Sequence, residues 1–147
     1  MRKSVIIALV TMLALMVGAT AVAKPKKPPF KTGQYSGTVT SNISGQVPAS
    51  HSVRLTISKI GKRYKLQTSF IVKVTCNNKP RTQGLQFGVI YVSKSTGKFS
   101  GKTAPGHSPG TAKVSGKASG KKITATWNYS VPNGSCWGNG DVAATHP

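Results

Sequence analysis

Acidic side chains are almost absent from this chain. Its 147 residues include 21 lysines and arginines but a single acidic residue, Asp141, and the formal net charge is +20. Glycoside hydrolysis by a pair of carboxylic acids is therefore excluded. Calcium or magnesium sites built from several carboxylates are excluded for the same reason. The basic side chains consequently have almost no counter-charge within the chain.

Other residues that are common in catalytic sites are also scarce. The chain has three histidines, His51, His107 and His146, and a Ser-His-Asp triad would have to combine one of them with Asp141. The one match to G-x-S-x-G, Gly106-His107-Ser108-Pro109-Gly110, lies in a loop rich in glycine and proline and lacks the strand-turn-helix pattern that presents a nucleophilic serine. Metal-ligand spacings such as C-x-x-C or H-x-x-x-H are missing as well. We therefore expect a protein that is not an enzyme and that uses no cofactor or metal ion.

The first 23 residues have the pattern of a secretory signal peptide. Two basic residues precede an apolar stretch, residues 5–17, and the small residues Ala21-Val22-Ala23 form a cleavage site. A membrane-spanning helix needs about 20 apolar residues, so this stretch favours cleavage after Ala23 over a membrane anchor. We expect a secreted or cell-surface-associated protein with no transmembrane segment after cleavage.

The chain contains two cysteines, Cys76 and Cys136, which stand 60 positions apart. In an oxidising compartment outside the cytoplasm, an even pair of cysteines favours a disulfide bond. A metal site is the weaker alternative, because no histidine stands at a ligand spacing from either thiol. A bond across this separation would stabilise the fold by about 4 kcal/mol by constraining the unfolded chain.

Apolar and polar residues alternate with a period of two from Gly33 onward. About eight such segments occur, separated by turn residues, and no helical periodicity extends beyond two turns. The longest segment runs from Tyr64 and ends with Cys76 on its apolar face. The pattern predicts one all-β domain over residues 33–147, an antiparallel sandwich or barrel of about eight strands with one disulfide. Residues 24–32 are expected to form a basic, proline-rich N-terminal arm.

Most aromatic residues share the parity of the valines, leucines and isoleucines, so we expect them in the core. These residues are Tyr35, Tyr64, Phe70, Phe87, Tyr91, Trp127 and Tyr129. Phe30, Phe99 and Trp137 remain as candidates for exposure, and Trp137 is a candidate aromatic contact for a ligand. Proteins that bind single-stranded nucleic acid stack bases on aromatic residues of a basic face. Dedicated nucleic-acid binding is therefore disfavoured.

Several short motifs follow one another in a suggestive order. They are Gly33-Gln34-Tyr35-Ser36-Gly37, the long strand ending at Cys76, Gly97-Lys98-Phe99-Ser100-Gly101, Val114-Ser115-Gly116-Lys117, and Cys136 followed by glycines. In this order the chain resembles a group of small exported bacterial all-β proteins of uncharacterised function. The resemblance covers residues 33–144 and implies an all-β fold with one disulfide. It implies no functional residue.

The basic residues on the polar parity of the strands are the candidate binding residues. They are Arg54, Lys65, Lys73, Lys113, Lys117 and Lys122. An uncompensated basic surface attracts polyanions through counterion release, with an affinity that falls as salt rises. We predict electrostatic association with an anionic polymer or surface of the cell envelope or its surroundings. The alternatives are that the charge only maintains solubility, or that a hollow barrel with a basic exterior carries a small ligand.

Overall fold

Strands joined by short connections make up most of this protein. Its structure is a computed structural model, which describes residues 26–43, 48–104, 106 and 109–147. The predicted signal peptide over residues 1–23 lies outside the described residues, as does His107. The described residues form nine strands: β1 (Gly33–Ser41), β2 (Ala49–Ile60), β3 (Arg63–Cys76), β4 (Lys79–Gln86), β5 (Ile90–Val92), β6 (Lys98–Lys102), β7 (Thr111–Ser119), β8 (Lys122–Ser130) and β9 (Cys136–Thr145).

Eight of the described strands close into an antiparallel barrel. Hydrogen bonding links them in the order β2-β1-β9-β8-β7-β6-β5-β3, and pairing between β2 and β3 completes the ring. The described strand β4 is additional and pairs with the second half of β3. The predicted all-β fold of about eight strands is confirmed, and of the two predicted architectures the structure is the barrel.

The inward-facing side chains pack into one apolar cluster in the middle of the barrel. The indole of Trp127 belongs to this cluster and donates a hydrogen bond to the carbonyl of Thr40 at 2.9 Å. The hydroxyl of Tyr35 donates to the carbonyl of Lys31 at 2.7 Å. Both residues therefore contribute apolar area to the core without leaving a buried donor unsatisfied.

The barrel wall beside Trp127 leaves no room for a side chain at position 140 of β9. A Cβ atom on Gly140 would collide with the carbonyl oxygen of Thr40 on β1, the same oxygen that accepts the indole hydrogen bond. Glycine at this position allows two backbones to approach closely, as expected at a bend in a barrel strand. The sequence therefore places a residue without a side chain where β1 and β9 approach closely beside Trp127.

The disulfide bond between Cys76 and Cys136 joins the end of β3 to the start of β9. The two residues lie directly opposite one another, and Thr75 pairs with Trp137 beside them. Both cysteines are partly buried against the apolar cluster. The predicted disulfide is confirmed, and it ties the second half of β3 to the barrel.

The described part of the N-terminal arm covers one end of the barrel. Phe30 is only 5% exposed, and its ring packs edge-on against Tyr64 with 5.1 Å between the centroids. The backbone of Gly120 donates to the carbonyl of Pro29 and accepts from the amide of Lys31. Phe30, one of three candidates for exposure, is therefore not an exposed aromatic residue, because its ring packs into the barrel end. Phe99 is buried too, since β6 directs it inward.

A one-residue bulge separates β4 from β5. Gln86 lies opposite Ser69 and Ile90 lies opposite Leu66, so three residues of one segment face two residues of β3. An extra residue in one strand reverses the alternation of its side chains. Tyr91 therefore points outward and is 51% exposed. The predicted core position of Tyr91 is wrong for this reason.

Candidate functional site

An open cleft lies on the outer wall of the barrel, beside the bulge. We call it the bulge cleft; its volume is about 530 Å³. Most of its lining consists of polar side chains from β2, β3 and the end of β4. The polar residues of the lining are Arg54, Thr56, Lys65, Gln67, Thr68, Ser69 and Gln86.

The bulge cleft exists because β2 and β3 separate at this point. The two strands pair from the Ile60–Arg63 end as far as Leu55 and Thr68. Beyond Thr68, β3 continues as the partner of β4, while the first half of β2 pairs with β1. The bulge interrupts the pairing on the other side of β3 at the same level. Bulges commonly occur where a sheet re-aims side chains next to a binding site.

Two of the predicted binding residues meet in the bulge cleft. Arg54 extends from β2 and is exposed, and Lys65 extends from β3 and is half-buried. Neither side chain forms a hydrogen bond or ion pair with another residue within the part of the chain that the structure describes. Lys73 differs, because its ammonium group donates to the hydroxyl of Thr82 at 2.7 Å. The two cations of the bulge cleft are therefore available to an anion.

A third polar group in the bulge cleft also has no partner. The hydroxyl oxygen of Thr68 is buried and forms no hydrogen bond within the described chain. Thr68 lies at the last position of the β2–β3 pairing, where the strands diverge. A buried hydroxyl without a partner costs about 1–3 kcal/mol. Its position on the lining of the bulge cleft makes it a candidate contact for a ligand.

A second depression continues the bulge cleft across β5 and β6. We call it the aromatic trough; it has a volume of about 810 Å³ and shares Val89 with the bulge cleft. Tyr91 stands in it, directly across the β3–β5 pairing from Lys65. The guanidinium carbon of Arg63 lies 5.3 Å from the centroid of the Tyr91 ring. This cation–π contact orients an exposed aromatic ring within the aromatic trough.

Lysines lie directly opposite one another on the adjoining part of the wall. Lys98 of β6 faces Lys117 of β7, and Lys102 faces Lys113. Like charges at directly opposite positions destabilise a sheet. The chain's single acidic side chain, Asp141 of β9, lines one depression together with Lys98 and Lys117 but forms no ion pair with another described residue, so it offsets at most one of these four lysines. The outer wall from β6 to β7 therefore carries concentrated positive charge.

The predicted binding residues fall into separate groups on the barrel. Arg54 and Lys65 share the bulge cleft, whereas Lys113 and Lys117 face other lysines across β6 and β7. Lys122 lies at the turn between β7 and β8, opposite Ser119. Neither Lys122 nor Lys73 lines the bulge cleft, and Lys73 hydrogen-bonds to Thr82 of β4 instead. The structure brings two of the six together in one depression.

Trp137, one of the three aromatic residues that were candidates for exposure, is 41% exposed. It lies at the start of β9, paired with Thr75 on one side and Ser130 on the other. It stands beside the disulfide and lines neither the bulge cleft nor the aromatic trough. Trp137 is therefore a surface aromatic at a separate position.

Sequence reasoning missed the residues of the aromatic trough. Parity predicts a core position for Tyr91, and the cations around it are not among the candidate binding residues. These cations are Lys62, Arg63, Lys94 and Lys98. A signal was present in the sequence: Gly88 interrupts a strand pattern, and residues 89–92 are apolar on both parities. An isolated glycine within a strand pattern indicates a bulge.

Neither a metal centre nor a membrane helix is found in the described residues. Across residues 26–43, 48–104, 106 and 109–147, no three histidines, cysteines or acidic residues come together as a metal site. The same ranges contain no helix that is long and apolar enough to cross a membrane. Comparison with protein-family models, with curated proteins and with solved structures finds no match. The resemblance to small exported bacterial all-β proteins stays a prediction.

Proposed function

We propose that this protein is an exported, non-enzymatic β-barrel that binds anionic polymers of the cell envelope or its surroundings through its basic wall. The basic wall consists of the lysines and arginines of the bulge cleft, of the aromatic trough and of strands β6 and β7. The observation that carries the proposal is the bulge cleft, where Arg54 and Lys65 meet without partners within the described chain. A cation that is not satisfied within its own fold gains most from an external anion. With one acidic residue against 21 basic ones, the chain offers these cations almost no internal alternative.

The lysine pairs of β6 and β7 support the same proposal. Placing Lys98 opposite Lys117, and Lys102 opposite Lys113, reduces the stability of the sheet. Sequences that break a rule of local stability do so mainly at functional sites. An anionic polymer that lies across this wall would neutralise both pairs and recover the lost stability.

The alternative function, a carrier barrel, would need space inside the ring. The inward side chains instead pack against one another around Trp127 and Tyr35 in a single cluster. The bulge cleft and the aromatic trough both lie on the outer wall. This arrangement favours binding at the surface over binding in the interior.

Co-sedimentation with envelopes of the producing cells, over about 20 mM to 1 M salt, tests the proposal. Protein expressed as the full chain in its own host is mixed with the envelopes, and the fraction retained is measured at each salt concentration. We expect retention at low salt and release at high salt, because counterions compete for the basic wall. Retention that is independent of salt, or no retention at any salt, would contradict the proposal.

A further inference from the structure

We propose that the bulge cleft and the aromatic trough form one continuous site for an acidic polysaccharide, a chain of sugar rings that carry carboxylate or sulfate groups. This inference rests on the proposed function and specifies the class of polymer. Three features of the site support it: an exposed aromatic ring, unpaired amide and hydroxyl groups, and flanking cations.

The exposed ring of Tyr91 is a surface on which a sugar ring can pack. An aromatic face carries partial negative charge and attracts the C–H bonds on the flat face of a pyranose. Arg63 holds the Tyr91 ring from one side, at 5.3 Å from its centroid. Because Arg63 covers one face of the ring, a sugar would pack on the opposite face, and a carboxylate or sulfate that extends past the edge of the ring would pair with this guanidinium. Arginine binds planar carboxylates through two parallel hydrogen bonds, which would fix the orientation of such a sugar.

The bulge cleft supplies the groups that recognise sugar hydroxyls. Gln67 and Gln86 carry amides that both donate and accept hydrogen bonds, and Thr56 and Ser69 carry hydroxyls that do the same. None of these four side chains hydrogen-bonds to another residue among those described. Sugar hydroxyls need partners of both kinds, whereas a bare phosphate chain accepts only. The composition of the bulge cleft therefore matches a hydroxylated polymer.

The cations of the site stand next to these neutral groups. Arg54 extends into the bulge cleft beside Thr56, and Lys65 lies between Gln67 and the Tyr91 ring. A polymer that alternates hydroxyls and anionic groups along its length would meet both kinds of partner in turn. Because the bulge cleft and the aromatic trough share Val89, several sugar units of one chain can occupy the site together.

Single-stranded nucleic acid is less well matched to this site. Proteins that bind it stack successive bases on several aromatic side chains. In the two depressions, as far as the chain is described, Tyr91 is the one exposed aromatic ring, and Trp137 lies at a separate position. Tighter binding of nucleic acid is therefore the competing outcome of the experiment.

The test compares polygalacturonate with polyglutamate of matched length, using isothermal titration at low salt. Both polymers carry carboxylates, but only the first has sugar rings. The wild-type protein should bind polygalacturonate more tightly. The Tyr91→Ala variant should lose about 5- to 10-fold in affinity for polygalacturonate and less than about 2-fold for polyglutamate. Trp137→Ala, the matched exposed aromatic elsewhere, should leave both affinities unchanged.

A second variant tests the neutral groups of the bulge cleft. Gln67→Ala combined with Gln86→Ala removes two exposed amides and no charge, so the fold and the net charge are retained. We expect about a 5-fold loss for polygalacturonate and none for polyglutamate. Circular dichroism of each variant verifies that the barrel is intact.

The outcomes separate this inference from the proposed function. If polygalacturonate and polyglutamate bind alike and Tyr91→Ala affects neither, the polysaccharide site is wrong while electrostatic binding stands. If oligothymidylate binds more tightly than polygalacturonate and depends on Tyr91, the ligand is nucleic acid and the inference is overturned. If no polymer binds at any salt, both the inference and the proposed function are wrong.

Discussion

At the scale of single residues, Gly140 determines how closely the wall fits around Trp127. We predict that Gly140→Ala destabilises the fold by roughly 3 kcal/mol, because the new methyl group meets the backbone carbonyl of Thr40 and the wall must shift. Gly84→Ala is the matched control on β4, where an added Cβ meets nothing within 4 Å. It should change the stability by less than about 0.5 kcal/mol. Urea unfolding of both variants measures the difference, and equal midpoints would contradict the prediction.

Tyr35 makes the stability of the barrel sensitive to alkaline pH. Burial raises the pKa of its hydroxyl above 10.0, so the unfolded chain loses this proton before the folded chain does. The resulting stabilisation is complete below about pH 10 and decreases as the pH rises through the folded pKa. We predict that the difference in unfolding free energy between wild type and Tyr35→Phe is constant up to about pH 9 and shrinks as the pH rises above about 10.

Comparing the two proteins at each pH cancels the titration of the lysines, which both share. The substitution also removes the hydrogen bond to the Lys31 carbonyl, and this loss contributes a constant offset below pH 10. A difference that stays constant over the whole range would show that Tyr35 does not cause the pH dependence.

At the scale of strands, the disulfide holds the second half of β3 against β9. We predict that Cys76→Ala combined with Cys136→Ala lowers the unfolding free energy by about 4 kcal/mol, because the unfolded chain regains the freedom of a long loop. Reduction of the wild-type protein is the control and should give a similar loss. Denaturant unfolding measures both. An unchanged midpoint after reduction would contradict the prediction.

The strands themselves were predictable because their alternation is regular. Tyr64, Leu66 and Phe70 share one parity of β3, and all three are buried as the sequence predicts. Prediction from parity failed at Tyr91, because one extra residue at the bulge reverses the pattern in β5. The residues from 89 to 92 are apolar on both parities, so local alternation alone did not determine which face is buried.

The candidate site was predictable only in part. The outward parity of Arg54 and Lys65 follows from the alternation within β2 and β3. Their meeting in one cleft depends on where β2 and β3 separate, which results from the pairing of whole strands. The role of Phe30 depends likewise on contacts with Tyr64 and the Gly120 backbone, which are distant in sequence. Such contacts leave no periodic signal in the chain.

At the scale of the whole molecule, the near absence of acids determines the response to low pH. Acid unfolding of most proteins results from protonation of carboxylates that are paired in the native state. Here Asp141 is the single acidic side chain, so we predict that the barrel survives to about pH 3 at moderate salt. Circular dichroism during an acid titration measures this. A cooperative loss of β-sheet signal between about pH 6 and pH 4 would contradict it.

The central claim is that the basic wall binds anionic polymer electrostatically, and the salt dependence of the affinity tests it most directly. The equilibrium constant for polygalacturonate is measured by titration over a salt series. We predict that the logarithm of the affinity falls linearly with the logarithm of the salt concentration. The slope should be shallower, by about 1 to 2, for Arg54→Ser combined with Lys65→Ser. An affinity that does not change with salt would contradict the claim.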